Sequence, residues 1–459
     1  MSFPLIPPRH PAPLDPEFRP AVLANRAFQQ AVEAAGGGVP LVFGLERSHG
    51  HLSRYETRVF PEDHPRAEEN LFYAERLLKF LLWQRGAWRV YVGGPASIAS
   101  YLLQTYSPTG ARAFDYHFMG EKVYLRPFTI QPCAAHEVPP AREAEQALGR
   151  HLDGHRIGFD LGASDVKVSA VSEGRAVFST EIIWEPVVQT DPAYHYHHIR
   201  SALLEAARHL PRVDAIGGSA AGVYVDNQPR VASLFRGIPD EHFDEVRTLF
   251  SRLQEEFGVP LVVVNDGEVT ALAGAMSLED NGILGIAMGS SEAAGYVNMA
   301  GNITDWLNEL AFAPVDYNPD AAVDEWSGDR GVGALYFSQQ CVFRLAPKVG
   351  ITPEGETKAA RLKSVQAHLE AGHKGARQIW ETIGVYLGYA LAHYAAFYEL
   401  KHVLILGRVT SGSGGPIILE TAREILEQEF PDLAHINIQL PDEKSRRVGQ
   451  SIAAASLPG

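Results

Sequence analysis

Apolar positions along this chain repeat with two periods, and the alternation between them lays out its elements. Past Pro40, the run Leu41–Phe43 predicts a short strand, while Glu69–Gln84 (ENLFYAERLLKFLLWQ) spaces its apolar residues as a helix does. Trp88–Val92 then predicts a strand, Ala96–Tyr106 a helix and Lys122–Ile130 a further strand. Ahead of them stand seven prolines within the first 20 residues (Pro4, Pro7, Pro8, Pro11, Pro13, Pro16, Pro20), the mark of an extended arm rather than a helix. Prolines at 132, 139 and 140 predict a linker, so residues 1–150 are expected to form an appended small α/β domain.

From Gly154 the texture changes. Arg156–Phe159, the turn DLGASD and Lys167–Val171 predict a β-hairpin. Short apolar strands then run into glycine-rich turns: Val213–Ile216 into GGSAAG, Leu261–Val264 into NDGE, Ile283–Met288 into GSSEAAG, and Val403–Leu406 into GRVTSGSGG. Helical patterns separate them at Ile199–His209, Phe243–Phe257, Glu268–Ala275 and Ile417–Leu426. The clearest runs from Ala376 to Leu400, with Gly384 and Gly388 making a flat edge suited to close packing. Alternating strands and helices predict an α/β protein whose chemistry lies in loops at strand ends.

Composition adds limits. The chain has 459 residues, 46% apolar and 21% charged, with 42 Gly and 30 Pro, which excludes coiled-coil, collagen-like and wholly disordered classes. Its two cysteines, Cys133 and Cys341, exclude a disulfide scaffold and a Cys-rich zinc site and suit a reducing compartment. The start, MSFPLIPPRHPAP, lacks the apolar core of a secretory signal, and Gly282–Gly301 carries Glu292, Asn298 and five glycines, so no membrane span is read there; a cytoplasmic protein is expected. Net charge is −15, distributed as +1 over residues 1–150 and −16 over the remainder. An acidic body repels a polyanionic backbone and disfavours nucleic acid as a partner, while a small anion held by backbone amides and a metal stays open.

Four turns carry candidate chemistry. In IGFDLGASDVKV, Asp160 ends a strand and Gly162, Ala163 and Ser164 form a bend whose amides can cradle phosphate, with Asp160 holding Mg²⁺ or its water; a plain hairpin turn is the other reading. MGSSEAAGY offers a second bend at Gly289, Ser290 and Ser291, or a tight β-turn. Asn265 and Asp266 follow the strand LVVV at a helix start. There Asp266 can take a proton from a hydroxyl that Asn265 orients, or either residue can cap the helix. LGRVTSGSGGP can lay Gly407 against a purine ring or be a flexible loop. The cluster Tyr194–His198 has three imidazoles, but neighbouring helix positions point apart, so a helix surface is expected rather than a metal site. Walker A, HExxH and GxSxG motifs are absent from the sequence.

In this order the turns resemble the ROK family of sugar kinases and sugar-responsive regulators, within the actin/hexokinase/Hsp70-like fold, over residues 154–459. DLGAS is similar to that family's first phosphate loop, DxGGT, and IGGSAAGVYVDNQPR to its IGxxxPG turn, with Ala221 in place of Pro. VNDGEVTALAGA is similar to NDxNAAALGE, and MGSSEAAGYV to the second phosphate loop, GTGxGxG. The tail VGQSIAAAS resembles the closing helix. There are departures. Phe312 stands where the ExGH motif has a zinc-binding His, although Glu309 matches its sugar-contacting Glu, and the Cys-rich zinc loop is missing. Ser291 and Ala293 replace glycines, and each added Cβ restricts backbone that must approach phosphate. Residues 1–150 have no counterpart in the resemblance.

The resemblance implies a two-lobed, ribonuclease-H-like kinase body, with lobe I at 154–270 plus a C-terminal helix at 443–459, and lobe II at 271–442. It implies an ATP-dependent sugar kinase acting on a hexose or hexose-like hydroxyl, the 6-OH, with Asp266 as general base. Sugar contacts fall to Asn265, Glu309, Ala221 and Gly222, and nucleotide contacts to Asp160, Gly162, Ala163, Ser164, Gly289, Ser290, Ser291 and Gly407. ATP and Mg²⁺ (at Asp160) are the implied cofactors, with no structural zinc, no nucleic acid and no membrane. A homodimer is compatible with the Gly384/Gly388 face. The alternative is a catalytically weak sugar-binding sensor or regulator of the same family. LLKFLLWQRGAW and PASIASYLLQTY invite comparison with the regulators' winged helix, but Ala96–Gln104 holds no Lys or Arg to reach phosphate or base edges.

Overall fold

The computed structural model describes residues 3–143, 148–441 and 443–459, with backbone alone for 443–448. The chain is mixed α/β and divides into two compact units. One comprises Met1–Ala144, Ile286–Ala294 and Asp305–Leu440; the other comprises Glu145–Gly285, Gly295–Thr304 and Pro441–Gly459. Residues 1–144 share a unit with Asp305–Leu440. The strands Ile283–Met288 and Glu292–Val297 carry the chain across between the units.

The unit holding Glu145–Gly285 is built on one five-stranded sheet. Its order is Leu261–Asn265, Ala215–Ala220, His155–Leu161, Asp165–Ser172, Arg175–Ile183. The first three strands are parallel and Asp165–Ser172 runs antiparallel to both its neighbours, so the predicted hairpin forms, with Asp160 opposite Lys167 across it. Ile157, Phe159, Val168 and Ile216 pack with Ile199, Leu203 and Phe250 from the helices Pro192–Ala207 and Leu249–Phe257. The closing helix Glu443–Ala455 lies against the strands at Gly158 and Gly217. A Cβ on either glycine would overlap the Ser451 or Ala454 carbonyl. That contact keeps GGSA inside the strand Ala215–Ala220, where the sequence pattern put a turn.

In the other unit, Val39–Glu46, Leu52–Val59, Arg89–Gly93 and Thr129–Cys133 form a four-stranded sheet, and the helices Glu69–Arg85 and Ala96–Thr105 follow the predicted pattern. The predicted strand Lys122–Ile130 is corrected. Phe118–Tyr124 is a π-helical turn that buries Phe118, Met119, Val123 and Tyr124, and the strand begins only at Thr129. The proline-rich arm is non-helical, with hydrogen-bonded turns at Ala12–Asp15 and Asp15–Phe18, and runs along the long helix Lys374–Tyr394. Phe18 meets Tyr386 edge-on at 4.8 Å and the Leu14 N–H donates to Thr382 at 3.2 Å. Gly384 and Gly388 do make a close-packed face, but the helix Gly414–Glu429 of the same chain occupies it. A Cβ on Gly384 would stand 2.6 Å from the Thr421 Cβ, and one on Gly388 would stand 2.8 Å from the Ile425 Cβ. That face is therefore filled internally and offers no ground for a dimer.

Candidate functional site

Eight of the residues singled out from sequence lie in the unit of the five-stranded sheet. The strand Leu261–Asn265 runs straight into the helix Asp266–Leu278. Asn265 caps that helix, its Oδ1 accepting from the Gly267 N–H at 2.7 Å, and its Nδ2 donates to the Gly222 carbonyl at 2.8 Å. One side chain thus ties the Ala221-Gly222 turn to the start of the Asp266 helix. Gly222 has φ +119°, and a Cβ there would meet Ala232 at 2.7 Å, so glycine is required. The backbone of Gly295 presses so closely on Gly267 that no side chain fits between them, and the Tyr296 N–H donates to Glu268 at 3.1 Å.

Asp266 itself is half-buried. Loss of water around its carboxylate, and then the nearby charge of Asp160, push its pKa up to about 6. Burial likewise raises Asp160, with the Ser219 hydroxyl and Lys167 acting in the opposite sense. Lys167 Nζ stands 3.8 Å from Asp160 and 3.3 Å from Asp165. Trp184 gives the following turn two bonds, its indole N–H to the Gly162 carbonyl at 2.8 Å and its backbone N–H to the Ser164 carbonyl at 3.2 Å. Ala163 and Ser164 are exposed. Two desolvated carboxylates at one place, each raised by burial, are the donor chemistry that a hard divalent cation relieves, so Asp160 and its surroundings fit Mg²⁺. Sequence reasoning missed Ser219 and Lys167; both sit directly across from Asp160 in the sheet register, a signal readable once the hairpin is paired.

The remaining five residues belong to the other unit. Gly289 donates its N–H to the Ser291 carbonyl at 3.0 Å, and its own carbonyl accepts from the Gln339 N–H at 2.9 Å, leaving Ser290 and Ser291 exposed at the bend. Gly407, at φ +98°, lies against the end of the preceding strand, where a Cβ would be 2.6 Å from the Met288 carbonyl oxygen. Two of the predicted glycine turns are therefore neighbours. Glu309 is held from the N-terminal segment: the carbonyls of Trp83 and Gln84 accept from the Glu309 and Asn308 N–H groups at 2.9 and 2.8 Å. Asn308 takes φ +50° and is pinned by the Tyr398 hydroxyl at 2.8 Å. Phe312 joins an aromatic cluster with Trp83 (4.4 Å), Phe114 (5.6 Å) and Trp326 (5.3 Å). Among the histidines of Tyr194–His198, His195 is buried in the core, bonded to the Leu234 carbonyl at 3.0 Å. Among the described residues no three His, Cys, Asp or Glu side chains gather as a metal-binding group.

Comparison with protein-family models and with curated proteins gives no match. Among solved structures, a ROK hexokinase from Thermus thermophilus aligns with a TM-score of 0.52 at 16% identity, over 65% of this chain and 97% of that one. A ROK family transcriptional regulator, a homologue of the E. coli MLC protein, aligns with a TM-score of 0.52 at 16% identity, over 84% of this chain and 95% of that one. At such identity the likeness is one of fold, and it agrees with the resemblance carried by the turns: this chain has the α/β fold of the ROK hexokinase and of the ROK regulator.

Proposed function

We propose that this chain is an ATP-dependent sugar kinase of the ROK type, phosphorylating a hexose-like hydroxyl, by resemblance the primary 6-OH, with Asp266 as the general base. One observation carries the reading: Asp266 is a half-buried carboxylate at the first turn of a helix, coupled to Asp160 and braced by the same Asn265 that anchors the Ala221-Gly222 turn. A carboxylate lifted toward neutrality is a better proton acceptor than one left in water.

In this reading Asn265, Glu309 and the Ala221-Gly222 turn bond sugar hydroxyls, and Asp266 accepts the proton of the hydroxyl that attacks. MgATP, when bound, supplies the phosphoryl group and the divalent charge that offsets it. Asp160, with Ser219 and Lys167 beside it, would hold the metal or its water. The exposed bends at Ala163–Ser164 and Ser290–Ser291 would face phosphate oxygens, and Gly407, whose bare face packs on the Met288 backbone, would by resemblance hold its loop at the base of the nucleotide. Asp266→Asn is expected to lower ADP release about 10²–10⁴-fold while calorimetric sugar binding persists. Turnover near wild type would sink the assignment.

A second reading is a sugar-binding regulator. The alignment with the ROK regulator extends over 84% of this chain, against 65% for the hexokinase, and this favours it. An ADP-release screen over glucose, mannose, fructose, N-acetylated hexosamines and polyols separates the two. Binding of one sugar with no ADP from any of them selects the regulator.

A further inference from the structure

The loop presenting Glu309 runs beside a second acid that the proposed reaction does not use. Glu292 opens the strand Glu292–Val297, is 3% exposed, and neither of its carboxyl oxygens has a hydrogen-bond partner. The Tyr394 hydroxyl, on a fully buried side chain of the long helix, is also unpartnered and lies within the field of Glu292. A third unpartnered acceptor is Oε1 of the buried Gln84, the residue whose backbone carbonyl holds Asn308. The Leu310 carbonyl and Glu292 Oε2 both crowd the Cα of Gly333, where a Cβ would overlap each of them. Burial, and then the charge of Glu309, push Glu292 up to about 8.

The unpartnered atoms of this group are the Glu292 carboxyl, Gln84 Oε1 and the Tyr394 hydroxyl, and once Glu292 ionises the Tyr394 hydroxyl is the one donor among them. Buried acceptors without donors are costly, and a buried carboxylate without a cation more so. Their chemical complement carries a positive charge and several N–H donors on one small centre. A primary ammonium has three such donors; a hydroxyl has one, and an acetamido group has one with a methyl attached.

We propose that Glu292, Glu309 and Tyr394 form a subsite for the primary ammonium of an amino sugar or amino polyol, making such amines the substrate class of this site. The inference rests on the kinase reading above in taking Glu309 as a sugar contact. On binding, the ammonium keeps its protons and the Glu292 carboxyl releases its own to solvent, so that the cation meets a carboxylate. A metal ion is the lesser fit, since among the described residues no three acidic, His or Cys side chains gather here.

The test is calorimetry on the full chain at pH 6.5 with glucosamine, N-acetylglucosamine and glucose, each in two buffers of different ionisation enthalpy. Glucosamine is expected to bind at least tenfold more tightly than the other two and to release up to one proton. Glu292→Gln is expected to bring glucosamine within threefold of glucose, and Tyr394→Phe, which only removes a hydroxyl, to reduce the preference severalfold. Equal binding of glucosamine and glucose by the wild type overturns the subsite, as does stabilisation by Ca²⁺ or K⁺ that Glu292→Gln abolishes in the absence of any amine preference. ADP release separates the two claims. Glucose turnover without an amine preference leaves the kinase reading and removes this one, whereas glucosamine binding with proton release and no ADP from any sugar does the reverse.

Discussion

Replacing Asp329 by Asn should destabilise the unit containing the N-terminal segment more than any exposed charge change would. Asp329 is 4% exposed and meets Arg112 at 2.7 Å, Arg76 at 3.2 Å and Lys79 at 3.5 Å. Glu75 pairs with Arg76 at 2.6 Å and Arg112 at 2.5 Å, and Asp115 with Lys79 at 2.6 Å. Three cations and three acids balance in a nearly waterless place. Burial alone would raise Asp329, yet Arg76 and Lys79 outweigh it and hold its pKa below the ordinary value. Asp329→Asn keeps the shape and leaves one uncompensated buried positive charge, a loss of about 3–5 kcal/mol. For a unit of this size that corresponds to a drop in Tm of roughly 5–15 °C. The double variant Arg112→Met/Asp329→Asn leaves two clean pairs, Arg76–Glu75 and Lys79–Asp115, and should recover most of the loss. Thermal and urea unfolding followed by tryptophan fluorescence, on both variants, decide it. If the single variant lies within 1 kcal/mol of wild type, or the double is no better than the single, the charge-balance argument fails.

Three smaller perturbations probe the site. Asn265→Ala removes the helix cap and the Gly222 contact together, and should cost about 1 kcal/mol in urea unfolding while weakening calorimetric sugar binding. Gly407→Ala forces a Cβ to 2.6 Å from the Met288 carbonyl oxygen at φ +98°, and should cost about 1–3 kcal/mol and weaken binding of a nonhydrolysable ATP analogue. Glu292 gives stability a pH dependence: its folded pKa of about 8 exceeds the ordinary 4.5, so the folded state binds the extra proton between those values. Stability should therefore be highest below about pH 4.5 as far as this group is concerned, and fall as pH rises through 8, by at most roughly 4–5 kcal/mol. Glu292→Gln should flatten that slope in ligand-free melts taken from pH 5 to 9, and an unchanged slope counts against the burial of the acid.

Local patterns carried most of the fold. The hairpin at 155–172, the strand into Asp266 and the long helix from residue 374 all follow from apolar spacing within a single element. What failed was set by distant contacts. Gly217 and Gly218 stay in a strand because Ala454 and the Phe159 ring press on them, which no window around residue 217 contains. The long helix stops at Tyr394 rather than Leu400, since the chain turns there with the Phe397 N–H bonded to the Tyr394 carbonyl at 2.8 Å. The residues of the glycine turns were legible because tight bends demand particular residue types. Ser219, Lys167 and Glu292 were not, because their meaning comes from register and burial.

Phe312 and the long N-terminal segment, two points where the sequence departs from the resemblance, meet in the structure. A loop that must hold Glu309 steady needs cross-links, and a metal with thiolates would be one way to provide them. Here the helix Glu69–Arg85 supplies others. The carbonyls of Trp83 and Gln84 fix the backbone on either side of the Asn308–Glu309 bond, the Trp83 ring packs 4.4 Å from Phe312, and Lys79 and Arg76 of the same helix bind Asp329 further along the chain. The Phe312 ring is buried among Trp83, Phe114 and Trp326, at 4.4, 5.6 and 5.3 Å. The N-terminal segment and Phe312 thus act together, and apolar packing with a balanced buried charge cluster braces the backbone that carries Glu309.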